Sequence, residues 1–316
     1  MTDRRLPHGV FFCSLVALVC CAGSAPARSV AVEAASGSTA AATPGTRGAP
    51  QAATQLPLPN KPGSLHFAVI GDNGNGEQGQ YDIGQQMANW YARFPFPLVV
   101  MMGDNIYGSD RPQDFVAKFE APYKALLDKG VKFYASLGNH DSREQRYYKF
   151  YNMDGKLYYT FKAPKEDVRF FALESTYMDP DQLKWLEDEL KKSGEKWKIV
   201  FFHHPPYSSS RTHGSQLKLR AVLEPLFIQY NVSLVLNGHD HVYERIMPQN
   251  GIQYFVEGAS GQLRAGDLRK PSPLTAFGND TEQTFMLMEI DGDNLTFNAI
   301  NRKGAVIDSG TITRRK

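Results

Sequence analysis

The chain has 316 residues, 42% of them hydrophobic and 22% charged, with a formal net charge of +2. Those proportions describe a globular protein with a sizeable core and exclude a disordered or fibrous chain. So small an excess of positive charge lacks the field that nucleic acid binding needs, and no nucleic acid partner is expected.

Residues 1–27 read as a secretory signal peptide. Arg4 and Arg5 precede an apolar run, Val10–Ala22, that is too short to span a bilayer, and Ala25-Pro26-Ala27 offers a cleavage site. All three cysteines, Cys13, Cys20 and Cys21, lie in this leader, so the mature chain has no disulfide. Cleavage after Ala27 frees the protein, whereas lipidation of Cys21 would tether it to a membrane; Leu18-Val19-Cys20 fits that second signal poorly. Either route predicts export, to the periplasm, the medium or, lipid-anchored, the cell surface. Ala, Ser, Thr, Gly and Pro then dominate residues 28–61, which predicts a disordered linker, with the folded domain over 62–316 and no transmembrane segment in it.

Apolar runs rich in β-branched and aromatic residues predict strands at Leu65–Ile70, Leu98–Met102, Val131–Leu137, Val168–Leu173, Trp197–Phe202 and Val232–Leu236. Helical periodicity lies between them at Tyr81–Tyr91, Asp114–Leu127, Pro180–Lys192 and Leu217–Tyr230, and the alternation predicts βαβ units. After Gly251 only strands follow, at Ile252–Glu257, Thr284–Ile290, Leu295–Asn301 and Ala305–Thr311. An α/β architecture of two packed mixed β-sheets flanked by helices accommodates both halves.

Five of these strands run directly into polar motifs. Ile70 leads into Gly71-Asp72-Asn73-Gly74, Met102 into Gly103-Asp104-Asn105-Ile106-Tyr107, and Leu137 into Gly138-Asn139-His140-Asp141. Phe202 leads into His203-His204-Pro205 and Leu236 into the stretch containing Gly238-His239-Asp240-His241. Each motif alone has a plain reading as a helix cap or polar turn. Of the seven histidines that follow the leader, His140, His203, His204, His239 and His241 lie in these motifs and His213 just after one, leaving only His66 outside. Ligands of α/β sheets bind at the carboxyl ends of strands, so the motifs are expected to converge. Asp72, Asp104, Tyr107, Asn139, His203, His239 and His241 then supply the carboxylate, phenol, amide and imidazole donors of a dinuclear metal site.

The order GDxG, GDxxY, GNHD, VxxHxP and GHxH resembles the purple acid phosphatases, members of the calcineurin-like metallophosphoesterases, and most resembles their short tartrate-resistant type. The resemblance implies a four-layer α/β/β/α sandwich. It also implies that Fe(III) takes Asp72, Tyr107, His241 and a bridging Asp104, while Fe(II), Zn(II) or Mn(II) takes Asp104, Asn139, His203 and His239. Harder anionic oxygens then gather round the more highly charged ion. Most of the wider superfamily has Asp-x-His where this chain has Asp72-Asn73-Gly74, and Tyr107 stands in for the missing imidazole. By the same resemblance His140 and His213 face substrate, with Asp141 positioned to orient the His140 ring.

The expected function is hydrolysis of small phosphate monoesters by a metal-bound hydroxide under acidic conditions. A phosphodiesterase or nucleotide pyrophosphatase using the same metals is one alternative. A secreted binding protein with a relic site is another. Two further features have plain readings: the aromatic cluster Tyr147, Tyr148, Phe150 and Tyr151 as core or pocket wall, and Arg264 and Arg269 as solvated surface.

Overall fold

A computed structural model describes residues 57–316. The expected leader, including Cys21, and residues 28–56 of the expected linker lie outside the described residues. The end of that linker, residues 57–61, lies against the domain: Leu58 packs on the core, and the Asn60 and Lys61 amides donate to the Glu289 carboxylate at 2.6 and 2.7 Å. One buried carboxylate capturing two amides is a tertiary effect that composition does not carry.

Thirteen strands are present among the described residues: β1 (Leu65–Ile70), β2 (Leu98–Met102), β3 (Lys132–Ser136), β4 (Tyr159–Lys162), β5 (Val168–Ala172), β6 (Trp197–Phe201), β7 (Leu234–Asn237), β8 (Tyr243–Ile246), β9 (Gln253–Glu257), β10 (Thr275–Asn279), β11 (Thr284–Asp291), β12 (Asn294–Asn301) and β13 (Val306–Thr313). They form two mixed sheets, ordered β13-β12-β11-β1-β2-β3 and β10-β8-β9-β7-β6-β5-β4. Strands β1, β2 and β3 run parallel in the first, and β5, β6, β7 and β9 run parallel in the second.

Alternation along each strand separates two cores. On β5, Val168, Phe170 and Ala172 point into the space between the sheets, while Phe171, and Leu173 just beyond the strand, point outward. Between the sheets Phe67 meets Phe170 edge-on at 5.3 Å and Phe255 meets Phe297 at 4.9 Å. Outside the second sheet, α4 (Pro180–Lys192) and α5 (Leu217–Gln229) bring Leu186, Leu190, Leu223 and Phe227 onto Phe171, Val200 and Val235. Outside the first, α1 (Gln78–Tyr91) contributes Ile83 and Met87. These are the two mixed sheets with flanking helices that the sequence predicts.

Two local expectations change. The helix expected over Asp114–Leu127 is interrupted: α2 (Pro112–Phe115) passes into a π turn over Val116–Glu120, closed by the Ala121 amide on Val116 O, before α3 (Lys124–Leu127) resumes. Pro122 has no amide hydrogen to continue the ladder, which separates the two pieces. Strands β4, β8 and β10 were not expected, because β4 and β10 are short edge strands and β8 carries the charged pair Glu244-Arg245. Among the described residues no helix is long and apolar enough to cross a membrane.

Candidate metal centre

The loops that leave β1, β2, β3, β6 and β7 meet at one place. Asp72, Asp104 and His241 offer ligand atoms that all lie within 4.8 Å of one another, and His203, His204 and His239 form a second such group. Asp104 joins the two, its Oδ1 standing 3.4 Å from His203 Nε2. Tyr107 Oη lies 3.2 Å from both Asp72 Oδ1 and His241 Nε2, and Asn139 Oδ1 lies 3.0 Å from His203 Nε2. All seven residues proposed from sequence as metal ligands are therefore in one cluster.

Without a cation this cluster is electrostatically unsatisfied, which is the test of whether its donors suit metal. Asp72 and Asp104 are 0% and 1% exposed, and the bases beside them are imidazoles that burial keeps neutral. Burial, then His204, pushes His203 far below the ordinary imidazole range; burial, then Arg264, holds His241 at about 4. Burial and the charge of Asp104 push Asp72 well above the ordinary carboxylate range. The same burial, with Asp72 and Asp104, drives the Tyr107 phenol far above its usual value, so a phenolate can form here only beside a compensating cation. His203 Nδ1 is 2.8 Å from Met102 O and must donate to it, which leaves a lone pair on Nε2. That lone pair faces Asn139 Oδ1 at 3.0 Å, His239 Nδ1 at 3.1 Å and Asp104 Oδ1 at 3.4 Å, a convergence of ligand atoms that a metal ion can join.

The backbone pays for this convergence with strained conformations. Asp72, Asp104 and His239 have φ of 52°, 51° and 72°, in the left-handed region that L-residues avoid and functional sites use. Close approach also requires glycine: a Cβ at Gly138 would overlap the Asp104 carboxylate, and one at Gly238 would overlap Asp72 Oδ2.

Exposed imidazoles flank the cluster. The His140 ring sits 5.0 Å from the Tyr107 ring, and His213 lies 4.2 Å from the His239 ring, tilted by 33°. The loop of His213 is fastened from below, with Ser210 and Thr212 hydroxyls donating to Asp267 and the Ser209 hydroxyl to Glu244. Asp141 has a different task from the one expected. Its carboxylate accepts from the amides of Asn105, Ile106 and Gly138 at 2.8 to 3.1 Å and from Asn105 Nδ2 at 2.9 Å, rather than from the His140 ring. It clamps the Asp104 loop to the Asn139 loop.

Two residues are closer to the centre than sequence reasoning placed them. His204, absent from the seven donors expected from sequence, belongs to the second group of possible ligands and is fixed by Ser175, whose Oγ lies 2.9 Å from Nδ1 and accepts from the His204 amide at 3.1 Å. Arg264, taken as solvated surface, donates its amide to His241 O at 2.9 Å and has a buried Nη1 with no partner. Its loop returns from β9 and is pinned to Asp72 O by the Gln262 amide, a long-range closure that local pattern does not reveal.

Comparison with known proteins agrees with this geometry. Residues 65–243 match the family model described as calcineurin-like phosphoesterase. Purple acid phosphatase 4 of Arabidopsis thaliana is 30% identical over 279 residues, covering 77% of this chain and 82% of its own. Human tartrate-resistant acid phosphatase type 5 is 25% identical over 299 residues, covering 80% of this chain and 92% of its own. Among solved structures, purple acid phosphatase PPD1 from yellow lupin seeds superposes with a TM-score of 0.67 at 20% identity, over 82% of this chain and 55% of that one. Plasmodium GAP50, described as the anchor in the inner membrane complex, gives 0.69 at 21% identity, over 80% of this chain and 90% of that one. At these identities the structural likenesses show the fold alone. The family match and the curated relatives, taken with the convergent donors, show that the chain belongs to the calcineurin-like phosphoesterases and is a metal-dependent phosphoesterase of the purple acid phosphatase type.

Proposed function

We propose that this protein is an exported acid phosphatase that hydrolyses small phosphate monoesters at two metal ions. In this reading Fe(III) is held by Asp72, Tyr107, His241 and Asp104. Fe(II), Zn(II) or Mn(II) is held by Asp104, Asn139, His203 and His239. The observation that carries it is the meeting of the two ligand groups at the buried Asp104 carboxylate, 3.4 Å from His203. Two cations in such a cluster supply an activated water and neutralise the ester oxygens.

The chain's own groups do the rest. Met102 O fixes the His203 tautomer, and Asp141 holds the Asp104 and Asn139 loops at one spacing. His140 stands exposed beside Tyr107 and His213 exposed beside His239, each a candidate donor to the leaving alkoxide. The Ala-Pro-Ala pattern of residues 25–27 supports cleavage and release to the periplasm or medium, with lipidation at Cys21 as the tethered form.

Metal analysis with a visible spectrum tests the centre, since a tyrosinate on Fe(III) absorbs in the visible and Tyr107→Phe should abolish that band. A colourless, fully active protein containing only zinc or manganese would remove the ferric assignment. Turnover of a monoester should exceed that of a diester and vanish in Asp104→Ala; faster diester cleavage would make the protein a phosphodiesterase instead.

A further inference from the structure

The loop that follows β9 lies along the proposed ferric ligands. The amides of Ser260, Gln262 and Arg264, every second one, donate to Gly71 O at 3.2 Å, Asp72 O at 3.0 Å and His241 O at 2.9 Å. The chain then turns back: the Asp267 amide donates to Arg264 O at 3.3 Å, and Gly266 takes the left-handed step at φ 76°. Arg264 is held at both its amide and its carbonyl, so its backbone is fixed beside His241 before any ligand arrives.

The side chain is the part that lacks a partner. Its guanidinium forms no ion pair among the described residues, and Nη1 is shielded from solvent with nothing accepting from it. Asp267, the carboxylate of its own turn, already accepts from the Ser210 and Thr212 hydroxyls. Arg269, five residues on, is exposed, and water satisfies it. A buried charged donor without an acceptor is costly, so Nη1 points to an acceptor that arrives with a ligand. The placement of the charge says which ligand. Arg264 lowers the His241 imidazole more strongly than the Asp104 carboxylate raises it, and Asp104 and His241 offer atoms within 4.8 Å of one another. The guanidinium thus stands at the rim of the cluster on the side of Asp72 and His241, away from the flanking His140 beside Tyr107 and His213 beside His239. An arginine stays charged at every pH the fold survives, and its planar fork matches phosphoryl oxygens.

We propose that Arg264 is a catalytic residue whose guanidinium donates to a non-bridging oxygen of the phosphoryl group undergoing transfer. Negative charge spreads over those oxygens in phosphoryl transfer, and a fixed cation beside them stabilises it without reorganising. Every monoester carries the same phosphoryl group, so the contact does not depend on the leaving group, and the product orthophosphate retains it. This rests on the phosphatase reading and adds to it a residue outside the metal ligands and the flanking histidines.

Orthophosphate is the probe, with the metal-loaded full chain. By titration calorimetry Arg264→Gln should bind orthophosphate roughly tenfold or more weakly than the wild type, the scale of one charge-assisted hydrogen bond. Arg264→Lys should fall between them, since it keeps the charge and loses the fork. In Arg264→Gln kcat/KM should drop by the same factor for p-nitrophenyl phosphate and for glycerol phosphate, with metal content and Tm unchanged. Equal orthophosphate affinity in variant and wild type, or no measurable binding by the wild type, overturns the assignment. Loss of metal or a lowered Tm alongside weaker binding also overturns it, because Arg264 would then only support the His241 loop. A drop confined to one ester does so too, since the guanidinium would then touch the leaving group. A wild type that binds orthophosphate through Arg264 yet turns over neither ester would instead refute the phosphatase reading.

Discussion

Glu257 offers a stability test whose sign and size follow from its burial. The side chain ends β9 at 0% exposure, accepts from the Thr284 hydroxyl at 2.8 Å and the Ser260 hydroxyl at 3.4 Å through Oε1, and has no partner at Oε2. Burial pushes its pKa from the ordinary 4.5 up to about 8, so between those values the folded chain keeps a proton that the unfolded chain releases. Stability from this group is therefore greatest below 4.5 and falls as pH rises towards 8, by up to ~1.4 kcal/mol per pH unit and ~5 kcal/mol across the window. Glu257→Gln removes the titration. At pH 5 both side chains place a donor where Oε2 has no acceptor, so their stabilities should agree within ~1–2 kcal/mol. At pH 8 the variant should be the more stable by several kcal/mol in urea unfolding, with an unchanged m-value. Parallel pH profiles for the two proteins would refute the argument. Because Gly258, the next residue, packs against Asp72 Oδ2, the expected gain in acid falls on the strand beneath the metal ligands.

Two other predictions concern the loops. Gly138→Ala, which places a methyl group against the Asp104 carboxylate, should lose most bound metal by elemental analysis while far-ultraviolet circular dichroism stays unchanged. Full occupancy in that variant would show that Asp104 does not sit where the two ligand groups meet. Asp141→Ala removes the acceptor shared by Asn105, Ile106 and Gly138 and should cost about 2–4 kcal/mol in urea unfolding, whereas His140→Ala, at an exposed site, should change stability by under ~0.5 kcal/mol and lower kcat.

What could be read from sequence follows a physical division. The proposed ligands were legible because they follow buried parallel strands, and such strands announce themselves as short apolar runs, four of which stop within two residues of Gly-Asp, Gly-Asn or Gly-His and the fifth at His203. Asp141 does not orient the His140 ring because most of its partners come from the loop after β2, 35 or 36 residues away, with the Gly138 amide beside them. Arg264 reads as surface because nothing local distinguishes a half-buried arginine from an exposed one. Its position depends on Gly261 packing against Asn73 O and Gln262 bonding to Asp72 O, contacts that span most of the domain. Strand β10 escaped for the opposite reason: every residue in it is half-exposed, so it has no apolar face to display.

The unfavourable features of this molecule are concentrated at one point, and that concentration makes a prediction about metal removal. Two buried carboxylates lack a charged base, an imidazole lone pair faces two oxygens, and three of the proposed ligand residues hold left-handed backbone. A cation offsets the first two directly, so the loaded protein should be stabilised by about RT ln(1 + [M]/Kd), roughly 2.7 kcal/mol at a hundredfold excess over Kd. For a domain of this size that is on the order of 5–10 °C in Tm, lost on chelation and regained on adding metal back. The decisive comparison is Asp104→Asn, which keeps the shape and removes one buried charge. Its Tm should scarcely respond to chelator, and without metal it should melt at or above the stripped wild type, because an uncompensated carboxylate is gone. If stripped wild type melts as high as loaded, and Asp104→Asn melts lower than both, then these side chains satisfy one another as a polar core and no cation belongs between them.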